Sequence, residues 1–390
     1  MEIKSRIILK KRKEESLLRY HPWVFSGAVK SIEGNPANGD WVNVYSAKNN
    51  FLGAGHYQNK GSISVRILSF EECIPDIEFW KMKLSAAYKF RKEINLPSAE
   101  TNSYRLVYGE GDGLPGLIID VYAQTAVIQA HSAGIQNDRK LIAEALLKVM
   151  QEEINSVYFK SESSGNSINE YLVGNLETPS IITENCNKFY VDWVNGQKTG
   201  FFIDQRENRN LLSKYSNGKK VLNTFCYTGG FSVYAIKAGA AIVHSVDSSK
   251  SAVELTNKNI ELNFPDYKNH EAIAADTFDF LEENKNKYNL IILDPPAFAK
   301  HKDARHNAIR GYQRLNTLAI KNIEEGGIIF TFSCSQVISR EMFYRTIMSA
   351  SIIAKRKVKV LHHLSQSPDH PVSVYHPEGE YLKGLVLYIE

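Results

Sequence analysis

The chain has 390 residues, of which 43% are hydrophobic and 23% are charged, a composition that predicts a folded protein of two or three domains. No apolar run reaches the ~18 residues of a membrane span and the charged N-terminus is unlike a signal peptide, so we expect a cytoplasmic protein with no membrane partner. The net charge is only +4, yet basic side chains cluster in residues 1–20 and again between Lys300 and Arg314. Such local patches favour a polyanionic partner, of which nucleic acid is an example.

The four cysteines, Cys73, Cys186, Cys226 and Cys334, are far apart in the sequence. They form no C-x-x-C pair, and a chain of this size does not depend on a disulfide framework. The histidines show no paired ligand spacing either, so we expect no metal site. Each cysteine is then judged alone, with a small buried side chain as the default and a nucleophile as the alternative.

Residues 1–72 have the pattern of short β-strands. The stretch DWVNVYSA (residues 40–47) alternates apolar and polar side chains, and FLGAGHYQ and SISVRILSF follow after turn signals. Closely spaced strands of this kind predict a small barrel. The stretch HPWVFSGAV lies between strands and places Trp23 and Phe25 near the basic N-terminus, where we favour core packing over stacking on nucleic-acid bases.

Residues 73–190 have mixed character. Helical spacing predicts helices over residues 76–94 and 138–150, and residues 104–131 read as strands around glycine-rich turns. These glycines are not followed by G-K-[ST] or by a clear helix, so hairpin turns are favoured over a phosphate-binding loop. We expect a small α+β domain here.

From residue 191 the pattern changes to alternating strands and helices. Apolar strands are predicted over residues 219–225, 240–247, 271–276, 288–294, 326–333, 357–364 and 382–389, with a helix over 249–263. Apolar strands separated by helices predict a doubly wound, mainly parallel sheet that is covered on both faces. In such a sheet a ligand binds beyond the carboxyl ends of the strands.

Polar residues follow the predicted strand ends. The turn NTFCYTGGF (residues 223–231) follows the first strand and lacks the G-x-G-x-x-G of dinucleotide sites, whereas S-adenosylmethionine has no phosphate and needs only a close approach of backbone. Asp247 ends the second strand and is suited to ribose hydroxyls, and Asp276 ends the third, where it could meet an adenine amine. Asp294 opens DPPAF after the fourth strand. Each aspartate alone could be a helix cap; together they predict a cofactor pocket.

The end of the fifth strand, TFSCSQ, should bring Cys334 into the same pocket as Asp294. In DPPAF the prolines leave carbonyls as acceptors for a base amine, and Phe298 could stack on that base. Carbon 5 of a pyrimidine is a poor nucleophile, and a thiolate added at carbon 6 makes it reactive toward a sulfonium methyl. Methylation of an exocyclic amine needs no such thiolate. We therefore interpret Cys334 as a nucleophile and Cys226, in the turn, as a packing residue.

Taken together, these motifs resemble the bacterial ribosomal RNA large subunit methyltransferase I family, class I enzymes that make 5-methylcytosine in 23S rRNA. The resemblance covers nearly the whole chain and includes HPWVFSGAV, YGEGDGLPGLIID, TGFFIDQRENR, LDPPAFAK, TFSCS and YHPEGEYLKG. It implies three domains: a PUA-like RNA-binding β-barrel over 1–72, a central α+β domain over 73–190 and a Rossmann-like methyltransferase domain over 191–390. It also implies a homodimer.

The resemblance further implies S-adenosylmethionine as cofactor and 23S rRNA as partner. The predicted cofactor residues are Asp204, Gln205, Arg206, Asn223, Phe225, Tyr227, Thr228, Gly229, Asp247, Ser248, Asp276, Thr277 and Asp294. The predicted substrate-binding residues are Pro295, Pro296, Phe298 and Lys300, and the predicted catalytic residues are Cys334 and Asp294.

Other functions stay open from the sequence alone. Many RNA cytosine-C5 methyltransferases carry a second cysteine in the fourth-strand motif, but here the segment is Pro295-Pro296-Ala297-Phe298. The base that removes the carbon-5 proton is therefore unassigned, with Asp294 as a candidate. The alternatives are a methyltransferase for guanine or an exocyclic amine with a structural Cys334, and an inactive RNA-binding protein. A nicotinamide dehydrogenase is disfavoured because G-x-G-x-x-G is missing.

Overall fold

A computed structural model describes residues 3–161, 167–285, 287–299 and 301–390 of the chain. The chain divides into two compact units. The first comprises Met1–Thr183, Val191–Ile203 and Pro368–Gly379, and the second comprises Glu184–Tyr190, Asp204–Ser367 and Glu380–Glu390. Within the described ranges, no helix is both long and apolar enough to cross a membrane. The three-domain division stays a prediction.

The first unit begins with a β-rich region, as the alternating pattern predicts. Its elements are β1 (Ser5–Leu9), α1 (Glu15–Leu18), β2 (Trp23–Phe25), β3 (Val29–Glu33), β4 (Trp41–Tyr45), β5 (Phe51–Tyr57) and β6 (Ile63–Ser69). They form a six-stranded sheet in the order β2-β6-β5-β4-β1-β3, antiparallel except where β1 pairs with β4. Alternate residues such as Ile7, Leu9, Val42 and Val44 form its core. The stretch HPWVFSGAV, expected between strands, itself contains β2.

The rest of the first unit is mixed, in agreement with the sequence pattern. Its elements are α2 (Ile77–Glu93), β7 (Ser103–Tyr108), β8 (Leu117–Tyr122), β9 (Thr125–Ala130), α3 (Ala133–Met150), β10 (Ser156–Ser161) and β11 (Asn169–Val173). The strands form a sheet in the order β11-β10-β9-β8-β7. Asp76 and Ser132 cap the N-termini of α2 and α3 through their side chains, and α3 therefore begins five residues before the predicted start at 138.

A buried arginine fixes the late segment 368–379 within the first unit. Arg91 on α2 is fully buried and forms a bidentate pair with Asp112 at 2.5 and 2.7 Å. The same guanidinium donates to the carbonyl oxygen of Asp369 at 2.9 Å, and the Asp369 carboxylate accepts from the Arg105 amide at 3.0 Å. Residues remote in the sequence thereby become part of one unit.

The second unit is built on a seven-stranded sheet. Its elements are α4 (Arg206–Ser216), β14 (Lys220–Thr224), α5 (Gly230–Lys237), β15 (Ile242–Asp247), α6 (Lys250–Asn263), β16 (His270–Ala274), α7 (Thr277–Glu283), β17 (Tyr288–Leu293), α8 (Arg305–Asn322), β18 (Ile323–Ser333), α9 (Arg340–Ala354), β19 (Val358–Leu364) and β20 (Lys383–Ile389). A separate two-stranded sheet pairs β12 (Ser180–Glu184) with β13 (Asn187–Val191). The large sheet has the order β16-β15-β14-β17-β18-β20-β19. Its first five strands are parallel and β20 is antiparallel to both neighbours, so the predicted mainly parallel sheet is confirmed.

The strand register gathers the carboxyl ends of the parallel strands at one edge. Thr224 on β14 is level with Val246 on β15 and with Leu293 on β17, and Leu293 is level with Thr331 on β18. The residues that follow these positions therefore share that edge, where a doubly wound sheet binds its ligand.

Candidate active site

The turn between β14 and α5 has a strained backbone. Phe225 and Tyr227 have φ values of 53° and 47°, in the left-handed region that side chains other than glycine rarely adopt. Gly229 has φ 77°, and a Cβ there would lie 2.7 Å from Cγ2 of Thr256, so the helix α6 approaches too closely for any side chain. Strain of this kind persists where the surrounding structure holds it, and it is common in ligand sites.

Hydrogen bonds from neighbouring elements hold this turn in place. The Thr256 hydroxyl donates to the carbonyl oxygen of Tyr227 at 2.9 Å, and Asn259 Nδ2 donates to that of Thr228 at 2.8 Å. Both donors lie on α6. The turn is therefore preorganised by the helix beside it, which lowers the ordering cost of binding a ligand.

Asp247, at the end of β15, links the turn to the next loop. Its Oδ2 accepts from the Tyr227 amide and its Oδ1 from the Ser249 amide, each at 2.9 Å. Each carboxylate oxygen has a second lone pair, and the side chain is only half-buried, so it can also accept from ribose hydroxyls. The adjacent Ser248 is exposed.

Two buried polar atoms at predicted cofactor positions have no partner among the described residues. Asn223 Nδ2 donates to Ser232 Oγ at 2.9 Å, but Asn223 Oδ1 has no hydrogen-bond partner among the described residues. The hydroxyl of Thr277 is equally buried and unpartnered within that part of the chain. Buried polar groups are normally satisfied, so these atoms are well suited to meet a polar ligand.

Asp276 has a structural role that the sequence left open. It is the N-cap of α7, and its Oδ1 accepts from the amides of Phe278 and Asp279 at 2.8 and 3.2 Å. Its side chain is exposed. The contact of Asp276 with adenine stays a prediction. The carboxylate would have to make it while it also caps the helix.

The Asp204-Gln205-Arg206 segment leads into α4, which begins at Arg206, and all three side chains are buried. Asp204 Oδ2 accepts from the Tyr381 hydroxyl, and Gln205 Oε1 accepts from Asn208 Nδ2 at 2.6 Å. Helix α4 lies against the start of α5, since a Cβ on Gly230 would lie 3.1 Å from Cδ of Arg209. The segment thus begins a helix that packs beside the turn between β14 and α5.

The DPPAF segment after β17 has buried and exposed parts. Asp294 is half-buried, Pro295 is buried and Pro296 is exposed. The Phe298 ring packs on Tyr312 of α8, with ring centroids 4.6 Å apart, so one of its contacts is with the core. Its stacking on a base stays a prediction, and Lys300 lies outside the described residues.

Cys334 lies beside this segment, immediately after β18. Its Sγ is 3.9 Å from the carbonyl oxygen of Pro295, and the side chain is half-buried. Burial, with smaller contributions from negative charge on Cys334 and Asp294, raises the pKa of the Tyr312 hydroxyl to about 12, so both groups lie within electrostatic reach of Tyr312. The structure therefore brings Cys334 and the DPP segment together.

Cys226 has a different environment. It is 6% exposed, and burial raises the pKa of its thiol to about 12. Its Sγ lies 3.7 Å from the Thr256 hydroxyl. A thiol with so high a pKa stays protonated near neutral pH, which supports the packing role expected for Cys226.

Two residues near Cys334 were not predicted from the sequence. Tyr312 comes from α8, and Lys383 comes from β20, where it pairs with Ser333 in the strand register. Both lie far from Cys334 in the sequence, so no local pattern could join them to it. Lys383 lies in YHPEGEYLKG, one of the motifs that carry the family resemblance, but the sequence assigns no role to it.

A second candidate site is an aromatic surface on the first unit, formed by Tyr20, Phe25 and Tyr375. These side chains are 54%, 44% and 52% exposed. Tyr20 and Tyr375 have ring centroids 5.4 Å apart, and His21 lies 6.0 Å from Phe25. Lys10 to Lys13 and Arg19 are exposed in the same part of the chain. The expectation that Phe25 packs in the core is wrong, because β2 turns its ring outward.

A histidine cluster supports this aromatic surface. His21, His376 and Glu378 offer atoms within 4.8 Å of one another, and Trp23 packs on His376 with ring centroids 4.4 Å apart. Sequence spacing predicted no metal site, and it could not reveal that these histidines meet, because they come from opposite ends of the chain. Their rings hold the segment that carries Tyr375 against β2.

Comparison with known proteins identifies both parts of the chain. A PUA-like domain matches residues 7–70, and an S-adenosylmethionine-dependent methyltransferase matches residues 152–364. Ribosomal RNA large subunit methyltransferase I of Aeromonas salmonicida is 40% identical over 98% of this chain and 98% of its own length. The protein of the same name from Escherichia coli O139:H28 is 38% identical over 97% of this chain and 98% of its own length.

Two solved structures share the fold over the full length. A protein of Streptococcus mutans, assigned as a SAM-dependent methyltransferase, is 25% identical with a TM-score of 0.85, covering 99% of this chain and 100% of that one. SMU.776, a methyltransferase complexed with S-adenosylhomocysteine (SAH), has a TM-score of 0.86 at 25% identity and the same coverage. From these matches, the chain belongs to the ribosomal RNA large subunit methyltransferase I family of S-adenosylmethionine-dependent methyltransferases.

Proposed function

We propose that this protein methylates carbon 5 of a cytosine in 23S rRNA, with Cys334 as the covalent nucleophile. The observation that carries the proposal is the position of Cys334 Sγ, 3.9 Å from the carbonyl oxygen of Pro295 in the DPPAF segment. The curated relatives are named as methyltransferases of large-subunit ribosomal RNA. A base held by DPPAF would have its carbon 6 near this thiol.

The proposed reaction uses residues of the second unit in a fixed order. The Cys334 thiolate forms a bond to carbon 6 of the cytosine, and the electron pair of the 5,6 double bond makes carbon 5 nucleophilic. S-adenosylmethionine, held at the Asn223–Gly230 turn, supplies the methyl group. Asp294 holds the ring and accepts the carbon-5 proton. The carbon–sulfur bond then breaks, which restores the double bond and the thiolate.

A fluorinated substrate tests this mechanism. A base cannot remove fluorine from carbon 5 of the target cytidine as it removes the proton. The covalent adduct should therefore accumulate on the protein. We expect a peptide containing Cys334 that carries the fluorinated, methylated nucleotide, measured by mass spectrometry after digestion. Unmodified Cys334, which is the result expected of an enzyme that methylates guanine or an exocyclic amine, would contradict the covalent mechanism.

Asp247 should control cofactor affinity. In Asp247→Asn one charged acceptor is lost and the new amide NH₂ faces a backbone N–H, so SAH should bind about 10–100-fold more weakly. Isothermal titration calorimetry measures the change. Asp266→Asn is the matched control, because Asp266 is exposed in the loop before β16, at the amino ends of the strands. Equal SAH affinity in the two variants would argue against the ribose contact.

The aromatic surface should bind RNA by stacking. Aromatic side chains contribute ~1–3 kcal/mol per stacked base, so Phe25→Ala and Tyr375→Ala should each weaken RNA binding by about tenfold or more. Filter binding with 23S rRNA fragments at fixed salt measures this. Tyr344→Ala is the control, since Tyr344 is 47% exposed on the second unit. Unchanged affinity in both surface variants would remove this surface from the proposal.

A cytoplasmic location and a homodimer complete the proposal, and both rest on the family resemblance. Ribosomal RNA is processed where it is transcribed in a bacterial cell. Sedimentation equilibrium of the purified protein tests the dimer: the proposal expects twice the 44.1 kDa chain mass. A single chain mass at micromolar concentration would contradict it.

A further inference from the structure

The position of Lys383 in the second unit is unusual for a lysine. The residue is 4% exposed, whereas lysine is almost never fully buried unless it has partners. Its Nζ donates to the carbonyl oxygen of Ser335 at 2.7 Å and to that of Ile338 at 2.8 Å. Both acceptors belong to the loop that begins with Cys334.

The strand register places Lys383 beside the chain segment that carries Cys334. Lys383 is the first residue of β20 and is level with Ser333, the last residue of β18, so it lies opposite the residue before Cys334. Two of the three ammonium hydrogens go to the loop carbonyls. A negative charge on Cys334 favours the charged form of Lys383, so the two groups are within electrostatic reach of each other.

The surroundings of the pair include other charged groups. The pKa of Lys383 is lowered to about 8, chiefly by burial, with Cys334 and Glu380 acting to raise it and Arg340 to lower it. Arg340 pairs with Glu380, so these two charges offset each other. On the other side, Tyr312 is within electrostatic reach of both Cys334 and Asp294.

We propose that Lys383 is a positioning residue that stabilises the thiolate of Cys334 while it holds the Ser335–Ile338 loop. The inference rests on the proposed role of Cys334 as nucleophile. The thiol proton passes to solvent, and the buried ammonium remains beside the sulfur. A thiolate next to a cation in a partly dry site has a lowered pKa, which raises the reactive fraction at neutral pH.

The pH dependence of alkylation tests the inference without RNA or cofactor. Iodoacetamide reacts with thiolates, and peptide mass spectrometry separates Cys334 from Cys186, an exposed cysteine that serves as an internal control. In the wild type we expect the midpoint for Cys334 to lie at least about one pH unit below that for Cys186. Equal midpoints would overturn the inference, and this comparison needs no variant.

Substitutions separate the charge from the support of the loop. Lys383→Gln keeps N–H donors for the loop but loses the charge, and it should raise the Cys334 midpoint by about one pH unit or more, a tenfold loss of alkylation rate at neutral pH. Lys383→Arg keeps the charge and should stay within about half a unit of the wild type. If Lys383 only supported the loop, Lys383→Gln would change the thermal stability and leave the midpoint of Cys334 alkylation unchanged. That result would refute the proposal.

The same measurements distinguish this inference from the proposed function. If Cys334→Ala abolishes methyl transfer while Lys383→Gln leaves the midpoint unchanged, the nucleophile stands and the role of Lys383 is wrong. If the midpoint shifts as expected while Cys334→Ala still makes 5-methylcytosine, the pairing is real and the covalent mechanism fails.

Discussion

Cys334→Ala should lower the rate of methyl transfer to RNA by about a thousandfold or more, because removal of a covalent nucleophile leaves only binding and orientation. Under single-turnover conditions with labelled S-adenosylmethionine, the variant should show no transfer above background. Its affinity for SAH should be unchanged, since the cofactor turn lies at β14 and not at β18. Retained affinity for SAH would show that Cys334→Ala is folded and that the loss lies in the chemical step.

Two controls sharpen this result. Cys226→Ala removes the buried thiol in the cofactor turn and should keep most of the activity, with a loss of stability from the small cavity. Cys186→Ala removes an exposed thiol and should behave as the wild type. If Cys334→Ala retains methyl transfer near the wild-type rate, Cys334 is structural and the target is a different atom.

Arg209→Met should lower the free energy of unfolding of the second unit by about 3–5 kcal/mol, because it leaves a buried carboxylate without its cation. Arg209 pairs with Glu184 in bidentate fashion at 2.8 and 2.7 Å, and Glu184 is fully buried. The Tyr234 hydroxyl, 2.9 Å from Glu184, is a neutral donor and cannot replace the charge. Urea unfolding monitored by circular dichroism measures the loss.

Arg345→Met is the matched control for this prediction. Arg345 pairs with Glu341 on α9, but both side chains are 72% exposed. Exposed pairs of this kind contribute ~0.3–0.5 kcal/mol, so the control should unfold within about 0.5 kcal/mol of the wild type. A similar loss of unfolding free energy in Arg209→Met and Arg345→Met would mean that the burial of Glu184 does not determine the size of the loss.

The gathering of three candidate residues at one sheet edge could be predicted because it follows from parallel strands. Asp247 ends a strand and Asp294 and Cys334 come directly after strands whose apolar runs are plain in the sequence, and parallel neighbours gather their carboxyl ends at one edge. Each residue could be placed from its own strand alone. No long-range pairing had to be known.

Residues whose position depends on long-range pairing could not be predicted. Lys383 reaches the loop after Cys334 because the last strand, β20, inserts between β18 and β19, and strand periodicity does not encode that order. Tyr375 packs on Tyr20 because segment 368–379 returns to the first unit. Phe25 itself was misjudged because an aromatic residue in an apolar stretch is more often buried than exposed.

The measurement that tests the central claim most directly is the identity of the methylated nucleoside. Purified wild-type protein is incubated with 23S RNA and labelled S-adenosylmethionine, and the digested RNA is analysed by mass spectrometry. The proposal expects the label in 5-methylcytidine, with none in RNA treated with Cys334→Ala. Label in a methylguanosine, or 5-methylcytidine formed by the Cys334→Ala protein, would contradict it.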